Sequence, residues 1–144
     1  MMGDEFPWYY NKDIDNLNED NKKFQFTHAV IVPEFAQVSN TINMLYPLFS
    51  SIGIKHLLRV KANLNVVGDG KNIGNYHTDV DVPTAMTAVY YINTNNGATE
   101  FENGKLVKSV ENRIVLFDAS MKHRGISCTD KKTRVLININ FIPL

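Results

Sequence analysis

The stretch His56-Leu57-Leu58-Arg59-Val60-Lys61-Ala62-Asn63-Leu64-Asn65-Val66-Val67 alternates residue by residue, with Leu58, Val60, Ala62, Leu64 and Val66 on one side and Arg59, Lys61, Asn63 and Asn65 on the other. Alternation at period two marks a half-buried β-strand, so the segment predicts a strand with one apolar and one polar face. Downstream of the Gly68-Asp69-Gly70 turn, short β-like segments follow at residues 75–79, 85–93, 99–102, 105–110, 113–118, 123–128 and 133–142. Turn chemistry separates them, including Asn95-Asn96-Gly97, Asn103-Gly104 and Asp130-Lys131. Many short strands at regular spacing predict an all-β sandwich or jelly roll.

Upstream the pattern changes. Phe35, Val38, Ile42, Leu45 and Phe49 recur at steps of three and four, which predicts one amphipathic helix over residues 34–50, with Pro47 in its last turn or kinking it. Residues 24–32 read as a further strand closed by Pro33, and residues 11–23 as an exposed loop. The aromatic run Phe6-Pro7-Trp8-Tyr9-Tyr10 reads as a cap over a core, its own or a partner's. The expected organisation is one domain over residues 1–144, with an N-terminal extension and supporting helix at 1–54 and a β core at 55–144.

Composition bounds the function. A chain of 144 residues is large enough to bury a core without staples. Its 15 basic and 15 acidic residues cancel, which leaves little general attraction for nucleic acid, and no apolar run is long enough to span a bilayer. The single Cys128 precludes an internal disulfide, and the N-terminus has no basic stretch followed by an apolar one, so a cytoplasmic location is expected. A local basic cluster, Lys122, Arg124, Lys131, Lys132 and Arg134, reads as the rim of a turn whose sign would attract an anion. Asn is unusually frequent.

The chemistry starts at Asn75-Tyr76-His77-Thr78-Asp79, where an imidazole and a carboxylate two residues apart project to one side of an extended segment. That is half of a metal site, and His123, opening a later strand, is the candidate to complete it. Two imidazoles and one carboxylate on one face of an ion leave positions open for exogenous ligands, which suits non-haem Fe(II), whereas structural zinc favours a closed tetrahedron. Eleven residues further, Arg134 heads the run Arg134-Val135-Leu136-Ile137-Asn138-Ile139-Asn140-Phe141. A cation entering so hydrophobic a strand calls for an anion to meet it. Alternation places Arg134, Leu136, Asn138 and Asn140 on one face, the expected lining of a pocket. His28 and His56 fit no site, and Asp81 falls in a turn before Pro83.

His77-x-Asp79, His123 and Arg134, in that order along short strands, resemble the Fe(II)/2-oxoglutarate-dependent dioxygenase family. Residues 88–93, 97–101 and 112–118 resemble its prolyl-4-hydroxylase-like branch and small bacteriophage-encoded oxygenases of that type. The resemblance covers roughly residues 58–141. It implies a double-stranded β-helix of the jelly-roll or cupin type, mostly β, with one main supporting N-terminal helix. It further implies that His77, Asp79 and His123 ligate and activate Fe(II), and that Arg134 pairs with the distal carboxylate of 2-oxoglutarate. Tyr91 would donate to the same carboxylate and Asn138 would line the cosubstrate pocket. Asn65 stands where relatives often carry tyrosine. The implied activity is hydroxylation of a C–H bond with dioxygen and 2-oxoglutarate, on a prolyl residue of a peptide or protein; the rival is a free amino acid or other small metabolite. Because Asp79 is a carboxylate, hydroxylation is expected over halogenation. From a different class, a non-enzymatic jelly-roll module binding a metal or ligand stands as the alternative. No membrane or nucleic-acid partner is expected, and a phage origin would place the protein in the host cytoplasm.

Overall fold

The computed structural model describes residues 1–12, 24–32 and 37–144. Ten strands occur in the order β1 (Tyr9–Asn11), β2 (Gln25–Val32), β3 (Gln37–Val38), β4 (Ile54–Val66), β5 (Met86–Tyr91), β6 (Ala98–Phe101), β7 (Leu106–Lys108), β8 (Ile114–Asp118), β9 (His123–Ile126) and β10 (Thr133–Pro143). A 3-10 turn at Asn40–Leu45 and a short helix α1 at Tyr46–Ser51 precede β4. The larger sheet runs β1-β2-β4-β10-β5-β8, with β3 on β2, and the smaller runs β7-β6-β9. Every pairing is antiparallel. The protein is mostly β, a double-stranded β-helix of the jelly-roll type.

Strand β10 lies at the centre of the larger sheet, bonded to β4 on one side and β5 on the other. Its alternation divides the molecule. Ile137, Ile139 and Phe141 join Val60 and Ala62 of β4 and Ala88 of β5 in a core that Phe6, Leu45 and Phe49 cover from the N-terminal side. On the opposite face, Leu136 packs with Val89, Tyr91, Phe101 and Phe117 between the sheets. The polar half of that face, Arg134 and Asn138, opens into a cavity together with Arg59, Lys61, Asn63 and Asn65 of β4.

The predicted strands from residue 85 onward match β5 to β10 within a few residues, and 24–32 and 56–67 match β2 and β4. Three local expectations fail. Residues 34–50 do not form one helix: 34–36 lie outside the described residues, Gln37–Val38 pairs with β2, and only Tyr46–Ser51 is α-helical. Ser39, with extended backbone (φ −77°, ψ 145°), accepts from the Thr41 amide and starts the 3-10 turn instead. Pro47 has no N–H to continue an upstream helix and sits in the first turn of α1, not the last. Residues 75–79 form no strand; the loop is held by isolated bridges, Ile73 to Ile126 and His77 to His123. In the aromatic run only Phe6 is buried, with Trp8 packed against the core. Tyr9 and Tyr10 belong to β1 and remain 62% and 65% exposed. Of the expected loop at 11–23, residues 13–23 lie outside the described residues, and Asn11 ends β1. No helix among the described residues is long and apolar enough to cross a membrane.

Because Ile139 is fully buried at the centre of this arrangement, Ile139→Ala is expected to destabilise the fold by about 2–5 kcal/mol. The measurement is urea unfolding, with a lowered midpoint and an unchanged slope.

Candidate metal centre

The backbone brings the first two imidazoles together. His77 N–H donates to the His123 carbonyl and His123 N–H to the His77 carbonyl, each at 3.0 Å. Such a reciprocal pair fixes the two residues opposite one another, with side chains on one side. The ring centroids are 4.8 Å apart. His77 comes from the loop before β5, while His123 opens β9.

Each ring is then oriented through its Nδ1, which donates to a nearby carbonyl: His77 to Asn75 at 2.9 Å and His123 to Met121 at 3.1 Å. With Nδ1 protonated, a neutral imidazole keeps its lone pair on Nε2. Both Nε2 atoms face one carboxylate, His77 at 3.7 Å from Asp79 Oδ1 and His123 at 3.5 Å from Asp79 Oδ2. Asn138 Nδ2 donates to Asp79 Oδ2 at 2.8 Å and steadies it. Among the described residues this is the one group of three metal-capable side chains, with ligand atoms all within 4.8 Å of one another.

These residues fit a divalent ion. Neighbouring ligands at about 2.1 Å from a metal stand about 3 Å apart, so the two histidine–carboxylate spacings of 3.7 and 3.5 Å need to contract by about half an ångström, and the widest spacing in the group, up to 4.8 Å, by more. The hydrogen bond from each Nδ1 to a carbonyl is the usual outer support of a metal-bound histidine. Asp79 and His123 side chains are 6% and 5% exposed, whereas His77 is 43% exposed, so approach is from the His77 side.

Burial by itself would push the Asp79 carboxyl up. A hydrogen bond from His123 when its imidazole is protonated, the hydrogen bond from Asn138 and the proximity of both imidazoles outweigh it and hold the group well below the usual carboxylate range. For His123, burial works against the proton, but the hydrogen bond and charge of Asp79 prevail and its pKa is raised.

The cavity has a volume of about 620 Å³. Arg134 enters it from β10, 3% exposed. Its Nε donates to Ser109 Oγ at 2.9 Å, and its Nη2 to the Ala98 carbonyl at 3.0 Å and, more weakly, Thr99 Oγ1 at 3.4 Å. No carboxylate pairs with it among the described residues. Burial lowers its pKa, an effect that nearby Tyr91 and Cys128 only partly oppose. Gly97 leaves the space that the side chain crosses: a Cβ there would stand 2.7 Å from both Arg134 Cδ and the Ile126 carbonyl.

Five of the six residues singled out from sequence line one cavity, and the sixth, Tyr91, expected to donate to the cosubstrate, does not reach it because its hydroxyl is buried on Thr99. His77, Asp79 and His123 cluster, Asn138 touches Asp79, and Arg134 lines the same cavity. Tyr91 shares the Arg134 face but lies fully buried beneath the cavity wall, its hydroxyl donating to Thr99 Oγ1 at 2.7 Å. The Arg134 guanidinium carbon is 5.7 Å from the Tyr91 ring centre. Tyr90 points the other way, donating to Asn112 Oδ1 at 2.7 Å. Asn65 lines the cavity and donates to Gln25 Oε1 at 3.3 Å. His28, buried, bonds through Nε2 to Ser39 Oγ at 2.8 Å and Thr41 Oγ1 at 3.1 Å, and His56 is exposed. Sequence reasoning left Gln25, Ser109 and Thr99 without a role. For Lys61 and Asn63 the signal was present in the polar face of the β4 pattern.

Neither a protein-family model nor a curated protein matches the sequence. Solved structures share the fold. A 2OG-Fe(II) oxygenase family oxidoreductase from Burkholderia pseudomallei is similar at TM-score 0.59 and 12% identity, over 81% of this chain and 68% of that one. A Pseudomonas putida prolyl-4-hydroxylase is similar at TM-score 0.54 and 14% identity, over 90% and 77%. KdgF from Halomonas sp. is similar at TM-score 0.53 and 10% identity, over 99% and 94%. Against two further solved structures the chain spans only 52% and 65% of the other's length. At these identities the likeness is one of fold, shared by oxygenases and other cupin-type proteins.

Metal and proton compete for His123, so the pH dependence has a definite sign. Because its pKa is raised above 6.5, Mn(II) affinity is expected to be full above that raised value. It should fall by roughly tenfold per pH unit below it. In the metal-free protein the protonated His123–Asp79 pair adds stability that is fully present below 6.5 and is lost as pH rises through the raised value. Calorimetric Mn(II) titrations and thermal unfolding across pH 5 to 9 check both.

Proposed function

We propose that this protein is an Fe(II)- and 2-oxoglutarate-dependent oxygenase that hydroxylates a C–H bond, in the first instance of a prolyl residue in a peptide or protein. The observation that carries the reading is a three-ligand site opening onto a cavity whose far wall holds a buried arginine without a carboxylate partner. A closed structural metal site would need neither the open side nor the unpaired cation. The fold likeness to an oxygenase and to a prolyl-4-hydroxylase supports the same reading.

His77, Asp79 and His123 would hold the iron through Nε2, a carboxylate oxygen and Nε2. Bound iron and 2-oxoglutarate would supply the oxidising chemistry, in which dioxygen and 2-oxoglutarate yield succinate, carbon dioxide and the hydroxylated substrate. The chain's own contribution is placement. Asp79 stays ionised because two imidazoles and Asn138 favour its charged form. Arg134 offers Nη1, which makes no hydrogen bond among the described residues, to the distal carboxylate of 2-oxoglutarate. Ser109, Ala98 and Thr99 hold the guanidinium plane meanwhile, so little side-chain freedom is lost when the anion arrives. Tyr91, under Thr99, supports this wall from below, and Asn138 fixes the Asp79 carboxylate that would ligate the iron.

The direct test is anaerobic titration of Fe(II)-loaded protein with 2-oxoglutarate, followed by the weak visible charge-transfer band of the chelate. The band is expected, and its loss is expected in His123→Ala; iron bound without a band would favour a metal-binding module. His77→Ala and Asp79→Ala are expected to abolish 2-oxoglutarate turnover measured as succinate release. Arg134→Ala should weaken 2-oxoglutarate binding by two orders of magnitude or more, the equivalent of about 3–5 kcal/mol for a buried charge left unpaired. Unchanged cosubstrate affinity in that variant would count against the assignment.

A further inference from the structure

A second cationic site lies in the same cavity, on the strand opposite Arg134. Arg59 and Lys61 are two residues apart on the polar face of β4, both line the cavity, and neither makes an ion pair among the described residues. Lys61 is the cross-strand partner of Asn138, the residue bonded to Asp79, so the ammonium belongs to the wall next to the metal ligands. Arg134 lies four residues further along β10, opposite Asn65, which at about 3.3 Å per residue separates the two positions by about 13 Å. A cosubstrate whose distal carboxylate is anchored at Arg134 therefore leaves Lys61 and Arg59 without that carboxylate.

Charge balance points the same way. Asp79 is the one acidic residue lining the cavity among the described residues. In the proposed assembly, the two positive charges of the ion and the one of Arg134 are matched by Asp79 and the two carboxylates of 2-oxoglutarate. Arg59 and Lys61 remain as two like charges on one strand face, in a partly desolvated site. Burial and the charge of Arg59 both disfavour the Lys61 ammonium, and only Asp79 favours it. Like charges held together out of water are costly unless an anion joins them.

We propose that the substrate carries its own carboxylate, which Lys61 and Arg59 bind, so that the C–H bond to be hydroxylated is presented to the metal from the β4 side of the cavity. This rests on the oxygenase reading above. Two sources share the chemistry: the α-carboxylate of a free amino acid, or an acidic side chain or terminus beside the target residue of a peptide.

The test uses full-length protein loaded with Mn(II), which does not turn over, and reads binding by calorimetry. 2-Oxoglutarate is titrated first, then four probes at millimolar concentration with 2-oxoglutarate present: L-proline, L-prolinamide, and a short prolyl peptide with a neighbouring glutamate or glutamine. Tighter binding of a carboxylate member than of its amide counterpart, at least tenfold, is expected. That preference should be lost in Lys61→Gln and reduced in Arg59→Gln, with 2-oxoglutarate affinity unchanged in both. Preference within the first pair identifies a free amino acid; preference within the second identifies an acidic peptide. Equal binding of carboxylate and amide members, or no binding of any probe while 2-oxoglutarate binds normally, overturns the proposal and leaves the oxygenase reading standing. Weakened 2-oxoglutarate binding in Lys61→Gln but not in Arg134→Ala would also overturn it, by assigning Lys61 to the cosubstrate. Absence of 2-oxoglutarate binding in the unaltered protein overturns the reading beneath it.

Discussion

The structure depends on the two faces of β10. As the central strand it satisfies its backbone on both edges, with β4 and β5, and so cannot slip without breaking both ladders. One face is committed to the apolar core through Ile137, Ile139 and Phe141. Commitment of that face determines the other, because a strand offers no third direction. Arg134 and Asn138 are thereby delivered to the cavity at positions fixed by the burial of their neighbours. A one-residue shift would place Arg134 in the core and Val135 in the cavity, and the energetic penalty for that exchange is what holds the site in register.

Two buried charges in the site are stabilised by different means. Asp79 is surrounded by donors, from His123 and Asn138, and by two imidazoles, so its ionised state is favoured even without a metal. Arg134 has hydrogen-bond acceptors, a serine hydroxyl, a threonine hydroxyl and a carbonyl, but no counter-charge. Neutral acceptors orient a guanidinium without cancelling its field. The first arrangement suits a ligand that must remain anionic for a cation to bind; the second suits a cation that must remain available to an anion. The asymmetry between them gives the cavity a polarity along its length.

What the sequence disclosed is what period two encodes. The alternation at residues 56–67 and 134–141 was sufficient for the strands and for the convergence of Arg134 and Asn138 on one pocket, but not where β4 shifts register and Leu57 packs against the core instead of Leu58, nor at Asn140, expected in the pocket but fully buried with its Nδ2 donating to Thr87 Oγ1. The pairing of His77 with His123 had no periodicity behind it, since the loop carrying His77 is not a strand and is held only by isolated bridges, Ile73 to Ile126 and His77 to His123. The expected helix at 34–50 failed because spacing at three and four records which residues face a core, and a 3-10 turn followed by a short helix can bury Leu45 and Phe49 equally well. Thr99, inside β6, and Ser109, just after β7, the acceptors that hold Arg134, have no local signature; only the packing of the smaller sheet against the start of β10 gives them a role.

The excess of asparagine has a physical reading once the cavity is known. Asn63, Asn65, Asn72, Asn75 and Asn138, with Gln25, supply much of its wall. Under the proposed function, a carboxylate at any of these points would compete with Asp79 for the metal, repel an anionic cosubstrate and neutralise Arg134 or Lys61 before a ligand arrived. An apolar side chain would leave polar ligands without hydrogen bonds in a partly desolvated space. A carboxamide avoids both consequences, since it offers donors and an acceptor without charge. Neutral polarity in the wall is therefore what allows the few formal charges in the cavity to act on ligands and not on one another.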